Sequence, residues 1–429
     1  MYSLDNRMKF YLRLTLILTL LFSFSEAKKL SYWEVHKMPT SIEKDYYIWR
    51  FLSQSSTNKS EARKIIHQAS RLNKKLRTAY RKKTGSNAKI AKIKVPGAVN
   101  KNWKTRSIAH KSFKHGLALM QQNKAKQASR HFDNARNYYV KQYDKDKSLF
   151  WLYLSTKDDN YIKLLRESCH VNIYTLMAAD TVNGRYPKTI TKSIWKNKIY
   201  GFDVQDPIAW AEIKKKMYEG ADLDNLADGY KSQETIGIHT YLKAKACDYK
   251  ESYFPMPYRD AMKHMPPERQ ALIYAIARQE SRFVPASVSR SFALGMMQFM
   301  PFLIKHIAKE KGQKMDLDDM FNPYKAVEYA DFHLDYLTKY LYHPLFIAYA
   351  YNGGIGFTRK LIKNKRNFRK GPYEPYMSME KMKNVEAREY GKKVLANYII
   401  YINKLGVTTR LFPLLKTLAT PSLTDKFRK

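Results

Sequence analysis

The segment AIARQESRF, residues 275–283, places a carboxylate where a helix would ordinarily carry an aliphatic side chain. If a helix begins at Pro267, its apolar positions recur at spacings of three and four residues, which is the pattern of one buried helix face. The apolar residues of that face are Leu272, Ile273, Ile276 and Ala277. Glu280 continues the same face, so the sequence predicts that its side chain points inward.

Two environments fit a glutamate at this position. Burial disfavours the ionised form of a carboxylate, so an inward Glu280 would have a raised pKa and would remain protonated near neutral pH. Alternatively, Glu280 lies at the edge of the apolar face and forms an ion pair with Arg278 or Arg282. The segment alone leaves both possibilities open.

Length, composition and charge restrict the class of protein. The chain has 429 residues, of which 44% are hydrophobic and 14% aromatic, enough to form two or more packed domains. It contains 78 Lys and Arg against 38 Asp and Glu, which gives a net charge of +40. Such a charge attracts polyanions, which include nucleic acid, an anionic membrane surface and an acidic cell-wall polymer.

The first 27 residues have the pattern of a secretory signal peptide. Basic residues precede an apolar run at 14–24, and Ser25, Glu26 and Ala27 supply a cleavage-site pattern. We therefore expect residues 1–27 to be removed near Ala27 and the protein to be exported to the periplasm. The run is too short for a permanent transmembrane anchor, and export argues against nucleic acid as a partner.

The cysteine and histidine positions are less informative. Cys169 and Cys247 could form one disulfide in an oxidising compartment or remain two free thiols. The histidines are scattered and have no metal-ligand spacing, so we expect neither a metal nor a cofactor.

Helical periodicity without sustained strand alternation predicts an all-α chain. Residues 28–254 are predicted to form a helical, superhelix-like region that includes a linker at 83–102. Within it, 107–120 and 125–139 form one predicted helix pair, in the style of a tetratricopeptide repeat.

A second, degenerate pair is predicted at 148–155 and 160–168; several such pairs would stack into a solenoid, and an ordinary helical bundle is the alternative that the same periodicity leaves open. The proline-rich connector FPMPY, residues 254–258, suggests a boundary before a second domain at 255–412. Residues 413–429 form a basic tail.

Three further motifs follow Glu280 in the second predicted domain. The first is SRSFALGMMQFMP, residues 289–301, which places a glycine and a neutral amide in an apolar run. The second is AYAYNGGIG, residues 348–356, and the third is VEAREY, residues 385–390, which opens a predicted helix that continues through Leu395 and Tyr398. Each of these taken singly has a structural explanation as core packing or a helix cap.

Together and in this order, the motifs resemble the soluble lytic transglycosylase family, whose catalytic domain has a lysozyme-like fold. Glu280 and Ser281 match its E-S pair, and residues 295–301, 350–354 and 386–390 match G-L-M-Q-x-M-P, A-Y-N-A-G and E-x-R-x-Y. The resemblance covers about 255–405. This chain departs from the family pattern at Phe292, Met296, Gly353 and Lys383, which bears on subsite preference more than on chemistry.

The resemblance implies cleavage of the bond between N-acetylmuramic acid and N-acetylglucosamine in peptidoglycan, with a 1,6-anhydro ring as product. Glu280 would serve as both general acid and general base, and the absence of Asp or Glu from 281–301 is consistent with a single carboxylate. The resemblance further implies a set of substrate-binding residues: Ser289, Gln298, Met300, Tyr351, Asn352, Glu386 and Tyr390. The alternatives are a muramidase that hydrolyses the same bond and a non-catalytic helical scaffold that binds peptidoglycan.

Overall fold

The structure is a computed structural model that describes residues 28–90 and 103–428. The predicted signal peptide and residues 91–102 of the predicted linker lie outside the described residues. Within the described ranges the regular elements are helices, and a few isolated β-bridges pair single residues. The prediction of an all-α chain is therefore confirmed. Across these ranges no helix combines the length and the apolar character that crossing a bilayer requires.

The helices are short to medium in length. In chain order, the α-helices of the described residues are Tyr32–Lys37, Ile42–Ser53, Lys59–Ile66, Lys74–Thr84, Trp103–Gln121, Ala125–Tyr138, Gln142–Thr156, Asn160–Glu167, Ile173–Thr181, Pro207–Tyr218, Leu223–Asp228, Ile236–Ala246, Arg259–Met262, Pro267–Glu280, Pro301–Glu310, Pro323–Thr338, Pro344–Gly353, Ile355–Lys363, Tyr376–Glu380, Val385–Lys404 and Leu411–Lys416. Short 3₁₀ helices occupy Leu317–Phe321, Thr417–Ala419 and Pro421–Leu423.

Both predicted helix pairs are observed. The first pair corresponds to Trp103–Gln121 and Ala125–Tyr138, and the second to Gln142–Thr156 and Asn160–Glu167. In the first pair, Gly116 lies against Phe132, where a Cβ atom would come within 2.6 Å of the ring. The small-against-large contact explains how these two helices pack closely.

The described residues divide into two compact units. The first contains residues 28–90 together with 289–294 and 299–320. The second contains 103–288, 295–298 and 321–428. The domain limits predicted at 254/255 and 412/413 stay predictions.

In the first unit, a buried ion cluster joins helix Ile42–Ser53 to residues 316–318. The Arg50 guanidinium lies 2.7 Å from an Asp316 carboxylate oxygen and 2.6 Å from one of Asp318. The Tyr46 hydroxyl also donates to Asp318, at 2.7 Å. The charges of this acidic segment are thus satisfied within the unit.

In the second unit, helix Val385–Lys404 is buried along most of its length. Asn384 caps its start, where the side-chain oxygen accepts from the backbone N–H of Ala387. The helix packs against Pro267–Glu280 and Pro344–Gly353. The packing is close because position 391 is glycine: a Cβ atom there would lie 2.1 Å from Cε1 of Tyr349.

Both cysteines are free thiols in the structure. Cys169 is exposed just beyond helix Asn160–Glu167. Cys247 ends helix Ile236–Ala246, and its thiol donates to the carbonyl of Ala244 at 3.4 Å. Of the two possibilities that the sequence left open, the structure shows the unpaired thiols.

Candidate active site

Glu280 is the last residue of helix Pro267–Glu280, as the periodicity predicted. Proline occupies the first turn of this helix, where its missing N–H costs no hydrogen bond. The apolar face predicted from the sequence is buried: Leu272, Ile273, Ile276 and Ala277 are each at most 4% exposed. Glu280 itself is half-buried at the end of that face.

The chain reverses sharply after Glu280. Arg282 and Phe283 have φ angles of 54° and 66°, so two successive residues adopt the left-handed conformation that side chains ordinarily avoid. Helix Ile236–Ala246 approaches this turn through Gly237, where a Cβ atom would lie 2.3 Å from the Phe283 carbonyl oxygen. Gly237 therefore allows the backbone contact that supports the turn.

Neither neighbouring arginine is the observed partner of Glu280. The Arg278 guanidinium donates to the Asn397 side-chain oxygen at 2.8 Å and lies 3.8 Å from the centre of the Phe254 ring. The Arg282 guanidinium lies 5.0 Å from the centre of the Tyr249 ring. The structure thus favours the inward carboxylate over the edge ion pair.

The observed partner of Glu280 is Tyr390, whose hydroxyl donates to Oε1 at 2.8 Å. Burial raises the pKa of Glu280 to about 7; the hydrogen bond from Tyr390 opposes this rise, and the negative charge of Glu386 adds to it. Burial and the Glu280 charge raise the pKa of both Tyr351 and Tyr390 well above 10.0, so both phenols stay neutral. Glu280 therefore titrates near neutrality beside neutral hydroxyl groups.

The loop 295–298 is fixed by hydrogen bonds from two predicted site residues. The Gln298 side-chain amide donates to the carbonyls of Gly295 at 2.8 Å and Ser287 at 3.1 Å. The Tyr351 hydroxyl donates to the Met297 carbonyl at 2.9 Å. Ser281 ties the same loop to the end of the Glu280 helix, since its hydroxyl donates to the Met296 carbonyl at 2.7 Å.

Most of the predicted site residues lie in the second unit with Glu280. Asn352 is half-buried near the end of helix Pro344–Gly353, and Glu386 is exposed in the first turn of helix Val385–Lys404. Ser289 and Met300 belong to the first unit. There the Ser289 hydroxyl accepts from the backbone N–H of Ala293 at 2.9 Å, and Met300 is the N-cap of helix Pro301–Glu310. Their roles in binding stay predictions.

Part of the chain matches a known protein family. Residues 258–373 match the family described as Transglycosylase SLT domain. The chain carries a transglycosylase SLT domain. The predicted family resemblance is thereby confirmed for this segment, which includes Glu280, the 295–301 motif and the 350–354 motif.

Curated relatives are similar over a limited part of the chain. A soluble lytic murein transglycosylase of Escherichia coli (strain K12) is 28% identical over 183 residues, which are 40% of this chain and 27% of the relative. A putative soluble lytic murein transglycosylase of Haemophilus influenzae is 30% identical over 133 residues, or 30% of this chain and 22% of the relative. The chain thus covers about a quarter of the length of these relatives.

Among solved structures, the 70 kDa soluble lytic transglycosylase of Escherichia coli aligns with a TM-score of 0.46 at 18% identity, covering 89% of this chain and 68% of that one. An inactive variant of lytic transglycosylase Slt from Pseudomonas aeruginosa aligns with a TM-score of 0.45 at 16% identity, covering 89% and 66%.

A buried ionic network that the sequence did not predict supports the helix that carries Tyr390. The Lys392 ammonium is fully buried and lies 2.8 Å from a Glu380 oxygen and 3.2 Å from a Glu389 oxygen. Tyr174 donates to Glu380 at 2.6 Å, and Tyr143 donates to Glu389 at 2.9 Å. The two tyrosines belong to helices far upstream in sequence.

The charge balance of this network keeps Glu389 ionised. Burial alone raises the pKa of Glu389, but the nearby charges of Lys392, Lys147 and Arg388 outweigh burial and lower it below its ordinary value. Lys392 falls at a polar position of a basic segment, and a surface lysine is the ordinary interpretation of that pattern. The one available signal was that it lies two residues after the E-x-R-x-Y motif.

A groove of about 940 Å³ lies between helix Trp103–Gln121 and residues 380–388. Its walls combine an apolar floor, which includes Phe113, Leu117 and Met382, with exposed cations. Those cations are Arg106, Lys111, Lys114, Lys381 and Lys383. Val385, at the start of the helix that carries Glu386, also lines the groove. The groove therefore suits a ligand with carboxylates and apolar groups.

Proposed function

We propose that this chain is a lytic transglycosylase that cleaves the β-1,4 bond between N-acetylmuramic acid and N-acetylglucosamine in peptidoglycan without water. The observation that carries the proposal is the half-buried Glu280, with a pKa of about 7 and a hydrogen bond from Tyr390, within a matched SLT domain. Peptidoglycan lies outside the cytoplasm, so the proposal requires the export that the N-terminal sequence predicts.

The chemistry needs one group that gives a proton and then takes one back. Protonated Glu280 donates its proton to the glycosidic oxygen as the bond to the muramoyl C1 breaks. The resulting carboxylate then accepts the proton of the muramoyl C6 hydroxyl, whose oxygen bonds to C1 and closes the 1,6-anhydro ring. A pKa near the working pH suits both steps, because neither protonation state is costly to reach.

In the proposed reaction the two oxygens of Glu280 have different tasks. Oε1 accepts from Tyr390, so the transferable proton is carried by Oε2. Tyr390 thereby orients the carboxyl group and remains neutral throughout, since its own pKa is far above that of Glu280.

The remaining predicted residues position the glycan in this proposal. Gln298 and Tyr351 fix the 295–298 loop through the hydrogen bonds described above. Asn352 supplies a further polar group for the sugars, whereas the binding roles of Ser289 and Met300, which belong to the first unit, rest on the family resemblance. Glu386 has a second effect, because its negative charge helps to keep Glu280 protonated.

The excess positive charge of the chain provides an electrostatic attraction to the peptidoglycan polymer. Peptide stems of peptidoglycan carry free carboxylates, and we place stem carboxylates in the cationic groove between helix Trp103–Gln121 and residues 380–388. Sedimentation with purified sacculi should then weaken as salt rises, because the screening length shortens to about 3 Å at 1 M salt. Sedimentation that does not change with salt contradicts this placement.

Mass spectrometry of the muropeptides released from purified peptidoglycan tests the reaction. Wild-type protein should release anhydro ends, which are lighter than reducing ends by one water. Glu280→Gln should abolish release while keeping the fold. Glu268→Gln is the matched control, since Glu268 is exposed on the first turn of the same helix and should release products at the wild-type rate.

Each alternative gives a different product. Reducing ends in place of anhydro ends identify a muramidase. Binding to peptidoglycan with no release by the wild-type protein identifies the non-catalytic scaffold. Near-normal release by Glu280→Gln removes Glu280 from the chemistry.

A further inference from the structure

A basic segment outside the SLT domain has a composition unlike its surroundings. Between Asp180 and Asp203 there is no acidic residue. The same stretch contains five cations, which are Arg185, Lys188, Lys192, Lys196 and Lys198. Its last part, residues 192–200 with the sequence KSIWKNKIY, is called the aromatic loop below.

Two rings of the aromatic loop are almost completely exposed. Trp195 is 92% exposed and Tyr200 is 97% exposed, more than any other large hydrophobic residue in the described ranges. Isolated exposed apolar residues are common on proteins, but two such rings within nine residues of a segment that carries five cations are an unusual combination. Neither ring packs against a wall of the protein.

The backbone of the aromatic loop is nevertheless held in place. The backbone N–H of Gln233 donates to the Lys196 carbonyl at 2.8 Å, and that of Glu234 donates to the Asn197 carbonyl at 3.1 Å. Just before the loop, the N–H of Ile190 donates to the Ser252 carbonyl at 2.9 Å. The rings therefore project from an anchored main chain.

We propose that the aromatic loop binds the surface of an anionic membrane, with Trp195 and Tyr200 in the headgroup region and the lysines beside them facing lipid phosphates. Tryptophan and tyrosine favour the membrane interface because each combines an apolar ring with a polar group. Lysines near an anionic bilayer add attraction that falls off within the screening length.

The exposure of the rings favours a membrane over a saccharide. A sugar-binding site is ordinarily concave and surrounds much of its ligand with convergent polar groups. A ring that is more than nine-tenths exposed offers a rigid ligand one face at most. A bilayer interface is soft and surrounds a protruding ring on all sides. Binding to a bilayer therefore buries the full apolar area of both rings.

Vesicle binding by the full chain tests the proposal. The wild-type protein should bind vesicles of phosphatidylcholine with about one third phosphatidylglycerol and should bind pure phosphatidylcholine far more weakly. Replacing Lys192, Lys196 and Lys198 together by Gln should weaken binding to the anionic vesicles about a hundredfold, since each lysine near the surface contributes about a factor of five.

A matched control separates the aromatic loop from the general positive charge. Gln at the exposed positions Lys360, Lys363 and Lys365 removes the same three charges elsewhere in the second unit and should change the affinity far less. All proteins in the comparison carry the same N terminus, so the apolar run at 14–24 contributes equally to each. Unchanged thermal melting shows that the variants are folded.

Quenching of tryptophan fluorescence by brominated lipid gives a local measurement. Trp195→Phe should lose most of the quenching seen in the wild-type chain while retaining membrane affinity. Trp195→Ala with Tyr200→Ala should lose affinity as well.

Three results overturn the proposal. The first is equal affinity of the lysine-triple variant and the wild-type chain for anionic vesicles, or failure of the wild-type chain to bind these vesicles. The second is equal quenching in the wild-type protein and Trp195→Phe. The third is displacement of the protein from vesicles by soluble chitin oligosaccharides, which identifies a saccharide site. None of these results depends on catalysis, so the proposed function and this proposal fail independently.

Discussion

Replacing Glu280 by Gln should stabilise the fold at neutral and alkaline pH while it abolishes turnover. The pKa of Glu280 rises from an ordinary 4.5 to about 7, chiefly through burial, so the folded chain holds this proton more tightly than the unfolded chain does. Below about pH 4.5 the Glu280 carboxyl group is neutral in both the folded and the unfolded chain, so its burial as a charge does not lower the free energy of unfolding. As the pH rises through 7, the folded state must bury a charge, and this part of the stability is lost.

The size of the effect follows from the two pKa values. The difference between 4.5 and 7 corresponds to about 3 kcal/mol above pH 7, using about 1.4 kcal/mol for each tenfold change in proton affinity. Because Glu280 is partly exposed, water reduces the cost, and 3 kcal/mol is an upper limit. Glutamine keeps the shape and can still accept from Tyr390, so the variant avoids the cost and keeps the hydrogen bond.

The assay is denaturant unfolding of the wild-type chain, Glu280→Gln and Glu268→Gln at several pH values between 4 and 8. Two compact units imply more than one transition, so the comparison uses the transition that reports on the second unit. The advantage of Glu280→Gln over the wild type should grow between about pH 4.5 and 7 and then level off, while Glu268→Gln should show no such trend. An advantage that is the same at pH 4 and pH 8 would mean that Glu280 ionises like a surface carboxylate, and the proposed acid would lose its physical basis.

Three further outcomes follow from contacts of the helix that carries Tyr390. Gly391→Ala should lower stability by about 1–3 kcal/mol in thermal or urea unfolding, because its Cβ would meet the Tyr349 ring, whereas Gly356→Ala, with open space at Cβ, should not. Lys392→Met should cost about 3–5 kcal/mol in the same measurement, since it leaves the buried Glu380 carboxylate without the cation that contacts it; a neutral effect would show that the network is dispensable. Tyr390→Phe should move the alkaline limb of the activity profile to higher pH, because the hydrogen bond that lowers the Glu280 pKa is lost; a profile that stays in place contradicts this role.

Local periodicity was sufficient to predict the helix that ends at Glu280 and the helix that begins at Val385. Apolar residues at three- and four-residue spacings and a proline at the first turn mark the former, and Asn384 caps the latter. These signals lie within one helix, so the sequence displays them directly.

Contacts between distant segments could not be predicted in this way. The hydrogen bond from Tyr390 to Glu280 joins residues 110 positions apart, and the family motifs suggested that both matter without indicating that they touch. Gly237 is a further example, because its contact with the Phe283 carbonyl depends on how two helices meet. The buried lysine at 392 has the same sequence appearance as the exposed lysines around it, and one of its partners, Tyr174, lies on a helix more than 200 residues upstream.

The dependence of the Glu280 pKa on one helix links these contacts to the chemistry. Helix Val385–Lys404 delivers both Glu386, which raises that pKa, and Tyr390, which lowers it. The position of the helix is set by Gly391 against Tyr349 and by Lys392 within its ionic network. A displacement of this helix therefore changes both contributions to the pKa of Glu280 together. The buried network thus bears on catalysis through the placement of Tyr390 and Glu386, although none of its members contacts the reacting carboxyl group.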